Sequence, residues 1–133
     1  MTPTPYLFFN GNCAAALAAY EAIFNVKTAM TMKASEMPDI PVPDDRKDWI
    51  AHGELAFEGG SLMMSDNIFG TSETMTGSSV MLSYAEVARA REVFDRLAED
   101  GEVTMAFEPT FWSAGFGAVT DRFGIRWMIG TDT

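Results

Sequence analysis

The residues in this chain best suited to chemistry are His52 and Glu54, two positions apart in Ile50-Ala-His-Gly-Glu-Leu-Ala-Phe57. The run reads as a strand, and alternation puts His52, Glu54 and Ala56 on one face and Ala51, Gly53, Leu55 and Phe57 on the other. An imidazole beside a carboxylate can act as a base with its orienting partner, or can grip a polar ligand. The same pair can equally be a hydrogen-bonded histidine at a sheet edge or subunit contact. Cys13, the one cysteine, follows a turn at the start of a helix, where the dipole and free N–H groups lower a thiol pKa. The small residues around it fit simple helix packing as well. Phe111, Trp112 and Phe116, with Trp127 further on, form an aromatic set that could wall a pocket, fill a core or cover an interface. Asp66 and Asp121 lie near turns, where an Asx turn accounts for them; Glu102 and Glu108 flank a strand in the second half.

The elements that must position these residues follow from periodicity. Tyr6 to Asn10 is a short apolar strand stopped by Asn10-Gly-Asn12, and Asn12 is placed to cap the next helix with its side chain. In that helix Ala16, Leu17, Tyr20, Ile23 and Phe24 recur at helical spacing, and Asn25 ends it. Lys27 to Lys33 is a second strand. Residues 34–48, with Pro38, Pro41, Pro43 and the charges from Asp44 to Asp48, make a long polar loop of the kind that serves as a lid or stays mobile. Trp49 to Phe57 and Ser61 to Asp66 form a hairpin about Glu58-Gly-Gly60, and residues 67–78 link the halves. The second half repeats the order. A strand at Ser79–Tyr84 leads to a helix at about Glu86–Glu99, with Val87, Ala90, Val93, Phe94 and Leu97 inward. A strand at Glu102–Phe107 and a hairpin of Trp112–Val119 with Ile125–Ile129 follow. Gly115 and Gly117 mark a close approach or a bulge within that hairpin.

Strand, helix, three strands, written twice, is an internal duplication. A shift of 74 matches Phe8 to Leu82 and Tyr20 to Phe94, and a shift of 64 matches Gly60 to Gly124 and Met64 to Met128. The first half therefore carries the longer internal loop. The fold class is α+β: two βαβββ repeats, at about 5–66 and 79–130, forming a cupped mixed or antiparallel sheet in a single domain over 1–133, with a pocket or interface between the units.

Composition narrows the function classes. The net charge of −10 weighs against nucleic acid and anionic membrane surfaces, and no Lys/Arg run offsets it. The single cysteine favours a reducing compartment, the first residues lack a signal-peptide pattern, and no apolar run is long enough to span a bilayer. A soluble, cytoplasmic protein is expected. Ten methionines and sixteen aromatic residues supply soft, adaptable apolar surface for a core or a pocket.

The phrases Pro5-Tyr-Leu-x-Phe-x-Gly11-Asn-Cys13, Ile50-Ala-His-Gly-Glu54 with Leu62-Met-Met-Ser-Asp66, Phe111-Trp112 with Gly115-Phe-Gly-x-Val-Thr-Asp121-x-Phe-Gly124, and Trp127-Met-Ile129 resemble the vicinal oxygen chelate superfamily, the glyoxalase, bleomycin-resistance and extradiol-dioxygenase group. Within it they are similar to the PhnB-like proteins. The resemblance implies cupped sheets around a pocket, and often a homodimer. It does not imply one reaction, because members isomerise, oxygenate, transfer thiols or only bind. Metal-using relatives carry ligands early in each unit's first strand and within its last strand; the matching positions here are Pro5, Ser79, Met64 and Met128, which suit no borderline or hard divalent ion. No metal site and no cofactor are therefore expected. The leading expectation is a small-molecule-binding protein whose pocket is lined by Phe8, Met32, His52, Met64, Trp112 and Met128. The alternative is an isomerase, lyase or transferase working through a non-standard metal site or a His52–Glu54 acid–base pair. A third reading is a dimeric scaffold without ligand.

Overall fold

The computed structural model describes residues 1–132, and these form two compact units, Met1–Glu73 and a second from Thr74 onward. The first contains β1 (Tyr6–Phe9), α1 (Cys13–Phe24), β2 (Lys27–Lys33), β3 (Ile50–Phe57) and β4 (Gly60–Asp66). The second contains β5 (Val80–Tyr84), α2 (Val87–Ala98), β6 (Glu102–Glu108), β7 (Phe116–Thr120) and β8 (Arg126–Thr131). Each unit builds its own four-stranded sheet, in the orders β1-β4-β3-β2 and β5-β8-β7-β6. The first strand of each pairs parallel with the last, and the other pairings are antiparallel. The twofold βαβββ pattern read from the sequence is the observed architecture.

Within each unit the helix covers one sheet face and so defines the core. Cys13, Ala16, Leu17, Tyr20, Ile23 and Phe24 of α1 are buried with Leu7, Phe9, Leu55, Leu62 and Met64. In the second unit Ala90, Val93, Phe94 and Leu97 of α2 are buried with Val119, Trp127 and Ile129. Val87, expected inward, is 40% exposed because it opens the helix, one turn before the buried stripe begins. Close helix–strand approach depends on glycine at two places. A Cβ on Gly53 would lie 2.9 Å from Leu17 Cδ1, and one on Gly117 would lie 2.7 Å from Phe94 Cε2 and 3.0 Å from the Phe107 Cα. The strand expected from Trp112 begins only at Phe116, because residues 110–113 are folded into a tight turn in which Thr110 Oγ1 accepts from the Trp112 and Ser113 N–H groups.

The strand register shifts the internal alignment by one residue. Leu7 stands beside Met64, and the matching pair in the second unit is Leu82 beside Ile129. The strand-end bonds agree: Asn67 N–H donates to the Phe9 carbonyl and Asp132 N–H donates to the Tyr84 carbonyl. Strand equivalences are thus 75 and 65 residues, whereas the helices keep 74, since two residues separate β5 from α2 where three separate β1 from α1. A slip of one residue exchanges the two faces of a strand. Met64 accordingly turns toward α1 and is fully buried, and its expected partner Met128 turns to the opposite face of its own sheet.

Two further expectations change. Asn12 makes no side-chain cap on α1. Its place is taken by Asp66, at the end of β4, whose Oδ1 accepts from Gly11 N–H (2.7 Å) and Cys13 N–H (3.0 Å) while Oδ2 accepts from Ile50 N–H (2.9 Å). One buried carboxylate so joins the β1–α1 turn to the start of β3, where hydrogen bonds to an anion are strong. The proline-rich loop is not featureless either. Residues 34–36 and 44–46 form single 3-10 turns, and Arg46 Nη1 donates to the carbonyls of Asn67, Ile68 and Gly70 while its guanidinium lies 4.4 Å from the Trp49 ring centroid. Asn25 ends α1 as expected, in the left-handed conformation.

Candidate functional site

The face of each sheet turned away from its helix carries most of the residues singled out above. In the first unit the cross-strand register places Tyr6, Met63, Glu54 and Met30 in one row. Phe8 stands beside Ser65 and His52 beside Met32. Phe8 is 56% exposed, and Tyr6 and Met30 are also exposed, which is the opposite of their neighbours Leu7 and Phe9. The central feature is a hydrogen bond of 2.9 Å between Tyr6 Oη and His52 Nδ1. Tyr6 and His52 lie on β1 and β3, with β4 between them, so the two side chains bridge two strand spacings of about 4.8 Å each. The Tyr6 ring also packs on Phe8, at 5.2 Å between centroids, and on His52, at 5.7 Å.

His52 and Glu54 share this face, as the alternation predicted. The partner that orients the imidazole is Tyr6, however, and not Glu54. Residues two apart on one strand sit about 6.5 Å from each other, too far for a direct bond between these side chains held perpendicular to the sheet, whereas a tyrosine reaches across. Tyr6 was the residue missed. Its signal was available in the alternation, since Tyr6 is two positions from Phe8 and must share its face.

In the second unit the equivalent row is Met81, Met128, Ala118 and Met105, three methionines and a small residue across the whole sheet. Phe116 stands on the same face opposite Gly130, and Trp112 packs edge-on against it at 5.4 Å, with Phe111 edge-on to Trp112 at 4.7 Å. Phe111 is 97% exposed and Trp112 is 52% exposed. Of the six expected lining residues, the structure thus puts Phe8, Met32 and His52 on the first open face and Trp112 and Met128 at the second. Met64 lies in the core.

Three other candidates are structural. Cys13 is completely buried, and burial, with the Asp66 carboxylate adding to it, pushes the thiol well above its ordinary value of 9.0. The helix start does not activate it, because desolvation of the thiolate outweighs the dipole. Trp127 is core, with Nε1–H donating to Asp121 Oδ2 at 2.8 Å. The other oxygen of Asp121 accepts from the Phe123 and Ile125 N–H groups, the expected Asx-type turn with a buried indole added.

For a metal, the open face of the first sheet offers the His52 imidazole, the Tyr6 phenol, thioethers and the Glu54 carboxylate, and that of the second offers thioethers with Glu102 and Glu108 toward its opposite ends. Among the described residues no three His, Cys, Asp or Glu side chains come together as a ligand group. One imidazole and one carboxylate without a third such donor beside them do not make the ligand set of a borderline or hard divalent ion. Of the four positions that the resemblance marks for ligands, Pro5 lacks a donor side chain and Met64 lies in the core. A separate surface cavity of about 360 Å³ is enclosed by the proline-rich loop itself, bounded by Ala34, Met37, Ile40, Val42 and Lys47 among others. No helix among the described residues is long and apolar enough to cross a membrane.

Comparison with known proteins agrees with the fold. Protein YjdN of Escherichia coli K12 is 34% identical, over 97% of this chain and 94% of its own length. The crystal structure of protein PA1353 from Pseudomonas aeruginosa superposes with a TM-score of 0.91 at 38% identity, covering 99% of this chain and 98% of that one. A Bacillus cereus PhnB protein, described as a putative 3-demethylubiquinone-9 3-methyltransferase, has the same fold, with a TM-score of 0.82 at 21% identity over 98% of this chain and 99% of that one. Residues 4–129 match the family description itself, and the chain belongs to the glyoxalase/bleomycin resistance protein/dioxygenase superfamily.

Proposed function

We propose that this protein is a PhnB-like small-molecule-binding protein and that its ligand lies on the open face of the first sheet. The observation that carries this reading is the Tyr6–His52 hydrogen bond set among Phe8, Met30, Met32 and Met63. A few oriented polar groups within adaptable apolar surface is the usual make-up of a small-molecule site. Phe8 and Met32 would contact the apolar part of the ligand, and the imidazole and phenol its hydrogen-bonding group. The ligand is a compact, mainly apolar molecule with at least one donor or acceptor. Arg and Lys clusters of the kind that hold phosphonates or phosphates are not part of this face. A metabolite library screened by native mass spectrometry, with His52→Ala and Phe8→Ala in parallel, tests the reading. It expects hits whose affinity drops in both variants; a wild-type protein that captures nothing, or hits indifferent to both changes, ends it.

The same residues favour a second reading, an isomerase or lyase in which His52, oriented by Tyr6 and with Glu54 on the same face, moves a proton. A captured carbonyl compound incubated with the protein in D2O would then exchange its α-hydrogens, and His52→Ala would stop that exchange without loss of folding. Exchange at the uncatalysed rate removes this mechanism. We further infer a cytoplasmic homodimer, from the lone buried cysteine and from four-stranded sheets that each end in two edge strands. A monomeric mass by light scattering at micromolar concentration contradicts the dimer.

A further inference from the structure

The second unit carries an aromatic group that the reading above does not use. We propose that the exposed rings of Phe111 and Trp112, backed by the buried Phe116 and with Glu108 as counter-ion, form a site for an organic cation, a quaternary or alkyl ammonium group. Four observations converge on it.

The first is exposure of large rings on a rigid support. Phe111 is 97% and Trp112 52% exposed, yet the turn that holds them is tied down at both ends. Thr110 N–H donates to the Ser113 carbonyl at 2.9 Å, and Thr110 Oγ1 accepts from the Ser113 N–H at 3.1 Å. The buried Ser113 hydroxyl then donates to the Gly115 carbonyl at 2.7 Å and meets Thr131 Oγ1 at 2.8 Å. Rings fixed this way lose little entropy on binding, and a hydrophobic surface held out in water in this manner suits a partner. The second is ring geometry. Phe111 packs edge-on to Trp112 at 83° and Trp112 edge-on to the buried Phe116 at 70°, so each ring is braced by the next. The exposed parts of Phe111 and Trp112 then offer electron-rich ring surface of the kind that attracts a cation.

The third is the carboxylate. Glu108 is directly opposite Phe116 in the β6–β7 ladder, and a register irregularity between Met105 and Glu108 returns it to the face that Phe116 occupies. Glu108 is exposed, and none of the ion pairs among the described residues, Lys47–Asp44, Arg89–Glu92 and Arg91–Asp95, includes it. The other charges on that face, Glu102 and Arg126, flank Thr120 at the far end of the sheet, four residues or about 13 Å along β8 from Gly130. The fourth is support. Gly130 lies opposite Phe116, and a Cβ there would come within 3.0 Å of the Phe116 ring and 3.7 Å of the Met81 methyl, so the buried Phe116 ring packs directly on bare backbone and gives Trp112 a fixed wall. The net charge of −10 adds a field that draws cations toward the chain.

Choline and its neutral isostere 3,3-dimethylbutan-1-ol separate charge from shape. Titrations followed by NMR of the Trp112 indole N–H, assigned as the signal that Trp112→Leu removes, give the affinities directly. Choline should bind about tenfold more tightly than the alcohol, the combined effect of an exposed cation–π contact and one exposed carboxylate. Trp112→Leu should lose most of that advantage. Glu108→Gln should weaken choline about threefold and leave the alcohol unchanged, and added salt should erode the same difference. His52→Ala, at the other site, should leave choline binding intact. Equal affinity for choline and the alcohol, absence of choline binding, or choline affinity unmoved by both Trp112→Leu and Glu108→Gln overturns the proposal. Both substitutions are at exposed side chains, so an unchanged thermal midpoint confirms that a loss of binding is not a loss of fold.

Discussion

The two units share a topology and solve its hardest local problem with different chemistry. Where β4 ends in the first unit, Asp66 collects three backbone N–H groups on one buried carboxylate. The matching residue at the end of β8 is Thr131, whose hydroxyl instead joins a neutral network with Ser113 and the Gly115 carbonyl. The first is a charged staple reaching the helix start and β3; the second is a hydroxyl pair anchoring the loop before β7. Duplication preserved the need for a buried polar connection at this corner, and divergence changed the donor and acceptor types. The open faces diverged likewise: tyrosine, histidine and glutamate among methionines in one, a methionine row flanked by aromatic rings in the other.

The largest effect that could break this comparison is at the charged staple. Asp66→Ala leaves three backbone donors without their anion, and should cost about 3 kcal/mol or more of unfolding free energy in urea denaturation. A loss below about 1 kcal/mol would mean the staple is ornamental. Next come the glycines. Gly117→Ala forces a methyl against the Phe107 backbone as well as the Phe94 ring and should cost about 1–3 kcal/mol, whereas Gly53→Ala meets the movable end of Leu17 and should cost less. Reversal of that order would show the first unit to be the more tightly packed. Ser113→Ala should cost about 1–2 kcal/mol, less than Asp66→Ala because no charge is involved.

Smaller again is a pH effect led by Cys13 of the first unit, to which the Tyr84 hydroxyl of the second, also raised by burial, adds at higher pH. Burial raises the folded Cys13 thiol above its ordinary value of 9.0, so the folded state resists losing that proton. The linked stability is present in full below about pH 9 and declines as pH rises above it, where the unfolded thiol ionises and the folded one does not. Urea midpoints at pH 8 and 10 should show the decline, and Cys13→Ala should reduce it; a thiol reagent should label the native protein only as fast as it opens. The smallest effect is expected at Tyr6→Phe, whose hydrogen bond is exposed and whose removal should change stability by no more than about 0.5 kcal/mol. A much larger loss would recast the Tyr6–His52 bond as a structural brace and weaken the binding-site reading.

Much of this was legible in local pattern. The alternation along Ile50–Phe57 put His52 and Glu54 on one face, and helical spacing identified the buried stripe of α1, including Tyr20. Duplication was visible because both units repeat the same order of periods. What local pattern could not supply was the exact depth of each strand. Aligning Met64 with Met128 is one residue from the observed Met64 with Ile129, an error invisible in composition and decisive in space.

By itself, then, the amino-acid order determined two βαβββ units, their elements and their amphipathic faces, because those depend on the periods of 2 and 3.6 that neighbouring residues impose. Only the tertiary structure decided which residues meet. The Asp66 staple spans 53 residues to Cys13 and the Tyr6–His52 bond spans 46, and contacts at that separation follow from strand order and register, in which one residue of slip turns every side chain to the opposite face.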